Sequence, residues 1–246
     1  MKPRMVIIAI GLMAMASLGD LTLGQNKSEA RKEIHQSYDL APNATVEVQT
    51  IPGSVIVETG SAQTAQIDAT LTSPTPADLD CNQLAIERTA QGLHIHGDSP
   101  CNIGRGSQQI RLRLPSQTNL RLSTIAGSIK VPALDGFLRL NSIAGHAEVA
   151  CTEDAEMSSL ARGLTLSLSN MRNSRVNVNS VNGDIDLGIA ADLDALLTVR
   201  SFVGRIQNET SNDSATVRQT DFRLRLGAGR SQIRISSIQG DIRIHH

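Results

Sequence analysis

Apolar and polar residues alternate with a period of two through most of the chain, and glycine interrupts the alternation at regular intervals. The unit reads apolar-x-apolar-x-Ser/Thr-apolar-x-Gly-x-apolar-x-apolar, and Ser180–Leu187 (SVNGDIDL) is a clear copy of its second part. Alternation of period two is typical of β-strands that bury one face. The step around the glycine shifts the buried phase by one residue, so each unit predicts two strands joined by a corner.

The corner positions recur at a near-constant spacing. The clear corner glycines are Gly53, Gly127, Gly145, Gly183, Gly204 and Gly240. Arg162 and Phe222 fill the corner slot in two degenerate copies. Glycine suits the other corners because it accepts a positive φ. One unit cannot bury its own apolar row, whereas stacked units can. A period of about 18–21 residues therefore predicts an all-β, single-chain β-solenoid.

The slot three residues before the corner holds serine or threonine in most copies. The members are Thr124, Ser142, Ser159, Ser180, Ser201 and Ser237. The alternation predicts that their side chains face inward, one above another, where each hydroxyl needs a hydrogen-bond partner such as a corner carbonyl. We interpret them as residues that shape the corner rather than as nucleophiles.

The first residues have the features of a secretory signal. Lys2 and Arg4 precede a short apolar run, and Ala14 and Ala16 offer a small-x-small cleavage site. An uncleaved membrane anchor is the alternative, and no other stretch is apolar and long enough to span a membrane. We expect an exported protein of the periplasm, cell envelope or extracellular space.

The rest of the chain divides by pattern. The predicted parts are a signal peptide at 1–24, a polar linker at 25–43, an N-terminal β region at 44–115 that caps the solenoid, and solenoid repeats at 116–246. The chain ends directly after a repeat strand, so we expect the last repeat to expose an edge. Exposed edges invite pairing with another chain, and end-to-end self-association is therefore a hypothesis.

A hairpin is predicted within the N-terminal β region, between apolar alternations that flank Ala90–Gly92. Cys81 and Cys101 are equidistant from Gln91, so the hairpin would place them opposite each other. Exported proteins form disulfides, and we predict a Cys81–Cys101 bond at the base of the hairpin. Cys151 is left over, either as a free thiol or as buried apolar filler.

Two pairs of residues could carry chemistry. Asp184 and Asp186 share a strand face, as paired carboxylates do in glycosidases and lyases. His94 and His96 also share a face, but zinc needs three or four ligands and no third is evident. We expect no metal site, no cofactor and no catalytic residues.

A surface ladder of opposite charges is the alternative account of the acidic pair. If the repeats stack in sequence order, Asp184 lies beside Arg205, and Arg223 lies beside Asp241. Such cross-strand pairs stabilise sheets by about 0.2–1 kcal/mol each. The net charge of −1 argues against an electrostatic nucleic-acid binder.

Three repeat strings, SVNGDIDL, TIAGSIKV and SIQGDIRI, resemble the bacterial putative-adhesin family of β-strand-repeat proteins, a domain of unknown function. The passage LRLPSQTNLRLSTIAGSIKV and the early TIPGSVIVETG are also similar to that family, so the resemblance covers about residues 44–246. It implies an exported bacterial protein with a β-solenoid fold and supplies no catalytic residues.

These observations favour a non-enzymatic cell-envelope or surface protein that acts in adhesion or as a binding scaffold. A flat strand face bearing arginine and asparagine would be its binding surface, and its partner would be an envelope or surface component. A polysaccharide-acting β-helix enzyme and a self-assembling envelope module are the alternatives. The scarcity of aromatic residues speaks against the enzyme, because sugar sites commonly use aromatic platforms.

Overall fold

The structure, a computed structural model, describes residues 29–60, 63–98, 106–210, 215–217 and 221–246. Within these ranges the protein is all-β, as the alternation predicted. The elements are β1 (Ala30–Asp39), β2 (Thr45–Ile51), β3 (Gly53–Gly60), β4 (Thr64–Ser73), α1 (Pro76–Asp80), β5 (Gln83–Thr89), β6 (Gly92–Asp98), β7 (Ser107–Pro115), β8 (Asn119–Ile125), β9 (Ile129–Val131), β10 (Leu138–Ile143), β11 (Ala147–Cys151), β12 (Ala155–Ala161), β13 (Leu164–Leu168), β14 (Arg175–Asn182), β15 (Ile185–Ile189), β16 (Ala195–Val203), β17 (Ile206–Asn208), β18 (Ala215–Val217), β19 (Asp221–Leu226), β20 (Ser231–Gln239) and β21 (Ile242–His245). The predicted signal peptide lies outside the described residues. Among these elements, no helix is long and apolar enough to cross a membrane.

The strands form two sheets, one of eleven strands and one of ten. The first has the order β1-β4-β7-β3-β9-β11-β13-β15-β21-β17-β18, and the second has the order β19-β16-β20-β14-β12-β10-β8-β2-β6-β5. Each repeat unit contributes one strand to each sheet, and we call such a pair a rung. Neighbouring rungs pair in parallel and in register, for example Leu140 of β10 with Leu122 of β8. The inward apolar residues of both sheets belong to one core that runs from Leu40 to Ile244.

The last rung in the sequence is not the last rung in the stack. Strand β20 pairs in parallel with β14 on one side and with β16 on the other, and β21 lies between β15 and β17. The prediction of stacking in sequence order is therefore wrong at this end. The final rung also has no free edge, so the premise of the self-association hypothesis is wrong, although association itself stays untested.

The rungs at the N-terminal end also stack out of sequence order. The rung β2/β3 lies between β6/β7 and β8/β9, so the first rung in the sequence is also internal. The two sheets thus continue across the predicted boundary near residue 116. At each end, antiparallel strands cover the outermost rung: β4 and β5 at one end, β18 and β19 at the other.

The predicted linker contains a strand instead. Strand β1 pairs along its whole length with β4 and forms the edge of the eleven-stranded sheet. Its sequence lacks the apolar-polar alternation of the other strands, because only Ile34 and Tyr38 pack against the core, as partly buried residues. An edge strand with one lightly covered face does not need strict apolar alternation.

The corners have two different geometries. In the N-terminal rungs the Ser/Thr slot carries the positive φ: 56° at Thr124 and 54° at Ser142. This reversal turns both side chains outward and buries the following isoleucine, Ile125 or Ile143. The prediction that Thr124 and Ser142 face inward is wrong for this reason, and the φ of the corner glycine is not positive there.

In the C-terminal rungs the glycine itself turns the chain, and the serine faces inward as predicted. Ser180, Ser201 and Ser237 are buried, and Gly240 has a φ of 133°. The Ser180 hydroxyl donates to the Leu160 carbonyl (3.4 Å) and the Ser201 hydroxyl to the Gly240 carbonyl (3.2 Å). The side chain of Ser159 lies outside the described residues.

Close packing of the corners explains the glycine column throughout. A Cβ placed on Gly127 would lie 1.9 Å from the Gly53 carbonyl oxygen, and one on Gly145 would lie 2.0 Å from the Gly127 carbonyl oxygen. Successive backbones therefore touch at the corner and leave no space for a side chain. The C-terminal corners Gly183, Gly204 and Gly240 are equally crowded: a Cβ on each would lie 2.0–2.4 Å from backbone of an adjacent rung.

The predicted hairpin is present. Strands β5 and β6 pair antiparallel from Gln83–Asp98 to Thr89–Gly92, with Ala90 and Gln91 at the turn. Cys81 lies at the C-terminal end of α1, but Cys101 lies outside the described residues, so the Cys81–Cys101 disulfide stays a prediction. Cys151 is a buried free thiol that packs in the core, and burial raises its pKa to about 12.

Candidate binding face

The outward face of the ten-stranded sheet carries three parallel rows of side chains, which we call the binding face. Its middle row runs across β8, β10, β12, β14, β20 and β16, one outward residue from each strand. These residues are Ser123, Asn141, Ser158, Asn179, Ser236 and Arg200. Except for Arg200 at its end, this row consists of short hydroxyl and amide side chains, and Ser158 donates to the Asn141 side chain at 3.0 Å. Such a surface is flat and rich in hydrogen-bonding groups.

Charges on the N-terminal half of this face are balanced. The Arg139 guanidinium binds the Glu156 carboxylate at 2.6 Å, and Glu47 of β2 lies opposite Arg121 of β8. This half contains acidic and basic residues side by side and has no excess of arginine.

The C-terminal end of the face has an excess of arginine. We call this group the basic end, and it consists of Arg175, Arg223, Arg225 and Arg234, all exposed. Along one row, Asn177 pairs with Arg234, Arg234 pairs with Thr198, and Thr198 pairs with Arg223. The adjacent row runs from Arg175 through Gln232 and Leu196 to Arg225.

Within the described part of the chain, none of these four guanidinium groups has a carboxylate partner. Arg234 binds the Gln232 amide oxygen, and Arg225 binds the Ala228 carbonyl oxygen at 2.7 Å. Two neighbouring aspartates are used in other contacts: Asp221 is paired with Arg200 at 3.2 Å, and Asp154 accepts from the Arg175 backbone N–H at 2.7 Å. The basic end therefore offers guanidinium groups to an anion.

The eleven-stranded sheet provides the contrast. Its outward charges form ion pairs between neighbouring strands: Arg113 with Glu58 (2.9 Å), Lys130 with Glu148 (2.7 Å) and Arg243 with Glu209 (2.8 Å). The Arg243 guanidinium also lowers the pKa of Glu209, chiefly through that hydrogen bond. The two faces of one molecule thus differ in how their charges are satisfied.

An apolar row lies on the other side of the middle row from the basic end. Val181, Ile238 and Phe202 lie side by side on β14, β20 and β16, with exposed fractions of 48%, 57% and 81%. They point outward because the preceding serines face inward at these corners. Large exposed apolar residues are typical of interaction surfaces.

A cleft opens beside the basic end, where three loops precede β14, β16 and β20. Its volume is about 450 Å³, and polar side chains including Arg172, Asn173 and Asp192 line it. Asp194 fixes one wall by accepting from the Gly229 N–H (2.6 Å) and the Arg230 N–H (3.1 Å). The hydrogen bonds from the Arg230 N–H and guanidinium hold the pKa of Asp194 below its ordinary value.

The candidate acidic pair has a structural explanation. The Asp184 carboxylate accepts a hydrogen bond from the backbone N–H of Asp241 (2.8 Å), and Asp186 lies 3.2 Å from the His245 ring. Asp184 thus forms a hydrogen bond with the backbone of the adjacent corner. The predicted neighbour Arg205 lies one rung further away, where it pairs with Asp241 at 3.5 Å.

The second predicted pair is also wrong, because β19 is an antiparallel end strand of the ten-stranded sheet, whereas Asp241 directly precedes β21 of the other sheet. Arg223 lies in β19, opposite Thr198, and is not beside Asp241. The inserted rung β20/β21 changes the neighbours of every outward residue from β14 onward.

The candidate histidine pair lies at the far end of the binding face. The His94 and His96 rings stack with centroids 4.9 Å apart, and Glu47 and Glu87 lie opposite His94 on the two neighbouring strands. Among the described residues, no group of three or more His, Cys, Asp or Glu side chains is placed to hold a metal ion. The pair therefore remains two stacked rings on a strand face.

Comparisons with known proteins give low sequence identity. The chain matches no protein-family model and no curated protein sequence. Among solved structures, it is similar to a putative cell adhesion protein from Clostridium sporogenes (12% identity, TM-score 0.49, 87% of this chain and 99% of that chain). It is also similar to a putative adhesin from Bacteroides fragilis (10% identity, TM-score 0.33, 87% and 97%) and one from Parabacteroides merdae (8%, 0.26, 87% and 96%). Structures described as adhesins are thus among those it resembles, as the sequence resemblance predicted.

Proposed function

We propose that this protein is an exported, non-enzymatic binding protein of the cell envelope or surface. In this proposal, the stacked rungs form a β-solenoid in which the first and last rungs of the sequence lie inside the stack. The binding face holds an envelope or surface component. The rigid scaffold presents side chains at fixed strand spacings, and the ligand lies across several strands. Adhesion, or scaffolding of another envelope component, is the resulting role.

The unpaired arginines at one end of the binding face are the observation that carries this proposal. Charges on the opposite face are largely used in ion pairs within the molecule. The guanidinium groups of Arg175, Arg223 and Arg234, in contrast, have no carboxylate partner among the described residues, although the Arg175 backbone N–H donates to Asp154. Exposed arginine without a carboxylate partner, beside amide side chains such as Asn177, favours recognition of a partner.

The absence of an enzymatic role is supported by what the candidate catalytic residues do. Asp184 binds the corner amide of Asp241, and the nearby Asp186 faces His245. A pair of carboxylates that cleaves a glycosidic bond needs one group free to donate a proton and another free to attack or to activate water. The hydrogen bond of Asp184 gives one member of the pair a structural partner instead.

A pull-down against fractionated envelope tests the proposal. The full chain, expressed with its own leader and immobilised, is exposed to membranes, peptidoglycan, surface polysaccharide and envelope proteins. We expect one fraction to bind specifically. Asn179→Trp, which places a bulky ring in the centre of the binding face, should remove that binding.

Gln109→Trp is the matched control. Gln109 is exposed on β7, on the outward face of the eleven-stranded sheet, and neither substitution changes the net charge. Equal binding by both variants would place the ligand elsewhere, and no binding of any fraction by the folded wild-type protein would refute the proposed function.

A further inference from the structure

The basic end is a local excess of positive charge in a chain whose net charge is −1. Four exposed arginines, whose guanidinium groups have no carboxylate partner among the described residues, lie on three strands, β14, β20 and β19, and one strand, β16, separates the last two. Charge that is not neutralised within the molecule attracts counterions, and a polyanion that displaces them gains free energy from their release.

The spacing of these arginines suits a chain-like ligand. Arg234 and Arg223 stand in one row on strands β20 and β19, two strand spacings apart, which corresponds to about 10 Å. Arg175 and Arg225 extend the positive charge along the adjacent row. A linear polymer with an anionic group on successive units would meet several guanidinium groups at once.

The residues between the arginines indicate what else the polymer carries. Asn177, Asn179 and Ser236 lie on the outward rows next to Arg234, with amide and hydroxyl groups facing solvent. Such groups hydrogen-bond sugar hydroxyls. Phe222 of β19 faces the core, and the exposed Phe202 of β16 lies in the Ile238 row, two rows away from Arg234. The arginine rows themselves therefore offer no stacking platform for nucleic-acid bases.

We propose that the basic end binds an acidic polysaccharide, with guanidinium groups on its carboxylate or sulfate groups and the adjacent amides and hydroxyls on its sugar hydroxyls. This inference rests on the proposed function and names its ligand class.

The test compares two triple variants of equal charge. Arg175→Gln, Arg223→Gln and Arg234→Gln together remove charge from the basic end. The control, Arg31→Gln with Arg111→Gln and Arg113→Gln, removes the same charge from β1 and β7, where these arginines pair with glutamates. Both variants are first checked for wild-type strand content and unfolding midpoint.

Binding is measured with polygalacturonate, dextran sulfate, neutral dextran and duplex DNA, each at low and at higher salt. We expect the wild type to bind at least one acidic polysaccharide and not to bind neutral dextran. Its binding of the acidic polysaccharide should weaken as the salt concentration rises. The basic-end variant should bind roughly tenfold more weakly or worse, and the control variant should bind like the wild type. The two acidic polymers distinguish carboxylate from sulfate as the preferred group.

Other outcomes would overturn the inference. These are equal losses in both variants, binding of dextran as tight as that of the acidic polymers, tighter binding of DNA, or no binding of either acidic polymer. If an envelope fraction still binds in an Asn179-dependent manner, the proposed function survives and only the ligand class fails.

Discussion

The Asp184 carboxylate accepts a hydrogen bond from the backbone N–H of Asp241, at 2.8 Å, although the two residues are 57 positions apart. Asp241 repeats the contact one rung further on, where its carboxylate accepts from the Arg205 N–H at 2.8 Å. The ladder of corners thus runs from Asp184 to Asp241 to Arg205, and not in sequence order. These two contacts show that the final rung of the sequence lies between the rungs that contain Asp184 and Arg205.

The inserted rung should control the stability of this end of the molecule. Ile235 of β20 is buried between Val178 and Val199, whereas Ile238 of the same strand is 57% exposed. We expect Ile235→Ala to cost about 2–5 kcal/mol because it leaves a cavity between two rungs. Ile238→Ala should change stability by no more than about 0.5 kcal/mol.

Urea unfolding of both variants measures these costs, and hydrogen exchange locates them. In Ile235→Ala, protection should fall in β14 and in β16 together, since both pair with β20. A loss confined to β20, or an equal cost for the two alanines, would argue against the inserted position.

The sequence predicted the strands but could not predict their order. Every rung presents the same apolar alternation, so Val178 packs as well against Ile235 as it would against Val199, its expected neighbour. Cross-strand preferences between such aliphatic pairs are too small to select one order. The order of the rungs at the two ends therefore depends on connections and end strands that the repeat pattern does not encode.

The corner glycines should tolerate a methyl group only where the backbones do not touch. A Cβ on Gly127 would lie 1.9 Å from the Gly53 carbonyl oxygen, while the nearest atom to a Cβ on Gly188 is 3.5 Å away, in the His245 ring. We expect Gly127→Ala to destabilise the fold by about 1–3 kcal/mol or more, because two rungs must separate. Gly188→Ala, within β15, should have little effect.

Thermal and urea unfolding compare the two alanine variants directly. Gly127 is a useful test because its φ is not positive, so a large cost reports crowding rather than backbone conformation. Equal stabilities would mean that the corners can relax, and the column of glycines would then need another explanation.

The candidate surface was predictable in kind but not in composition. The outward slots of the repeats predicted a face bearing arginine and asparagine. Which arginines share that face was not predictable, because Arg234 lies beside Asn177 only through the inserted rung. The apolar row depends on the second corner geometry, in which the inward serine leaves Phe202 outside, and the repeat pattern alone does not distinguish the two geometries.

Thiol titration tests the cysteine assignments. The chain has 3 cysteines, and Cys151 is buried with a pKa raised to about 12 by that burial. The thiolate is the reactive form, so the folded protein should react very slowly with a disulfide reagent at mildly alkaline pH. After denaturation without reductant, one thiol should react if Cys81 and Cys101 are bonded.

Denaturation after reduction is the control and should release all 3 thiols. Three thiols without reduction would refute the predicted disulfide. Fast reaction of the folded protein, retained when Cys81 and Cys101 are both replaced by serine, would mean that Cys151 is accessible.

The carboxylate of Asp194 should stabilise the loop edge at neutral pH and lose that effect in acid. Hydrogen bonds from the N–H and guanidinium of Arg230, and from the Gly229 N–H, lower its pKa in the folded state from the ordinary value of 3.8. A folded-state pKa below the unfolded value gives stabilisation that is fully present above the unfolded pKa. It is lost as pH falls through the folded pKa.

Asp194→Asn should therefore lower stability at neutral pH. The difference from the wild type should shrink as the pH falls below about 4, because the Asp194 carboxyl then becomes protonated first in the unfolded state and, at lower pH, in the folded state. Asp192→Asn is the matched control, since Asp192 is an exposed carboxylate on the same loop. Urea midpoints at several pH values measure both differences. If Asp194→Asn differs from the wild type by the same amount across the range, the side chain acts through its shape and its amide-compatible hydrogen bonds. A difference that vanishes in acid assigns the effect to its charge, and hence to the Arg230 contact that fixes the wall of the cleft.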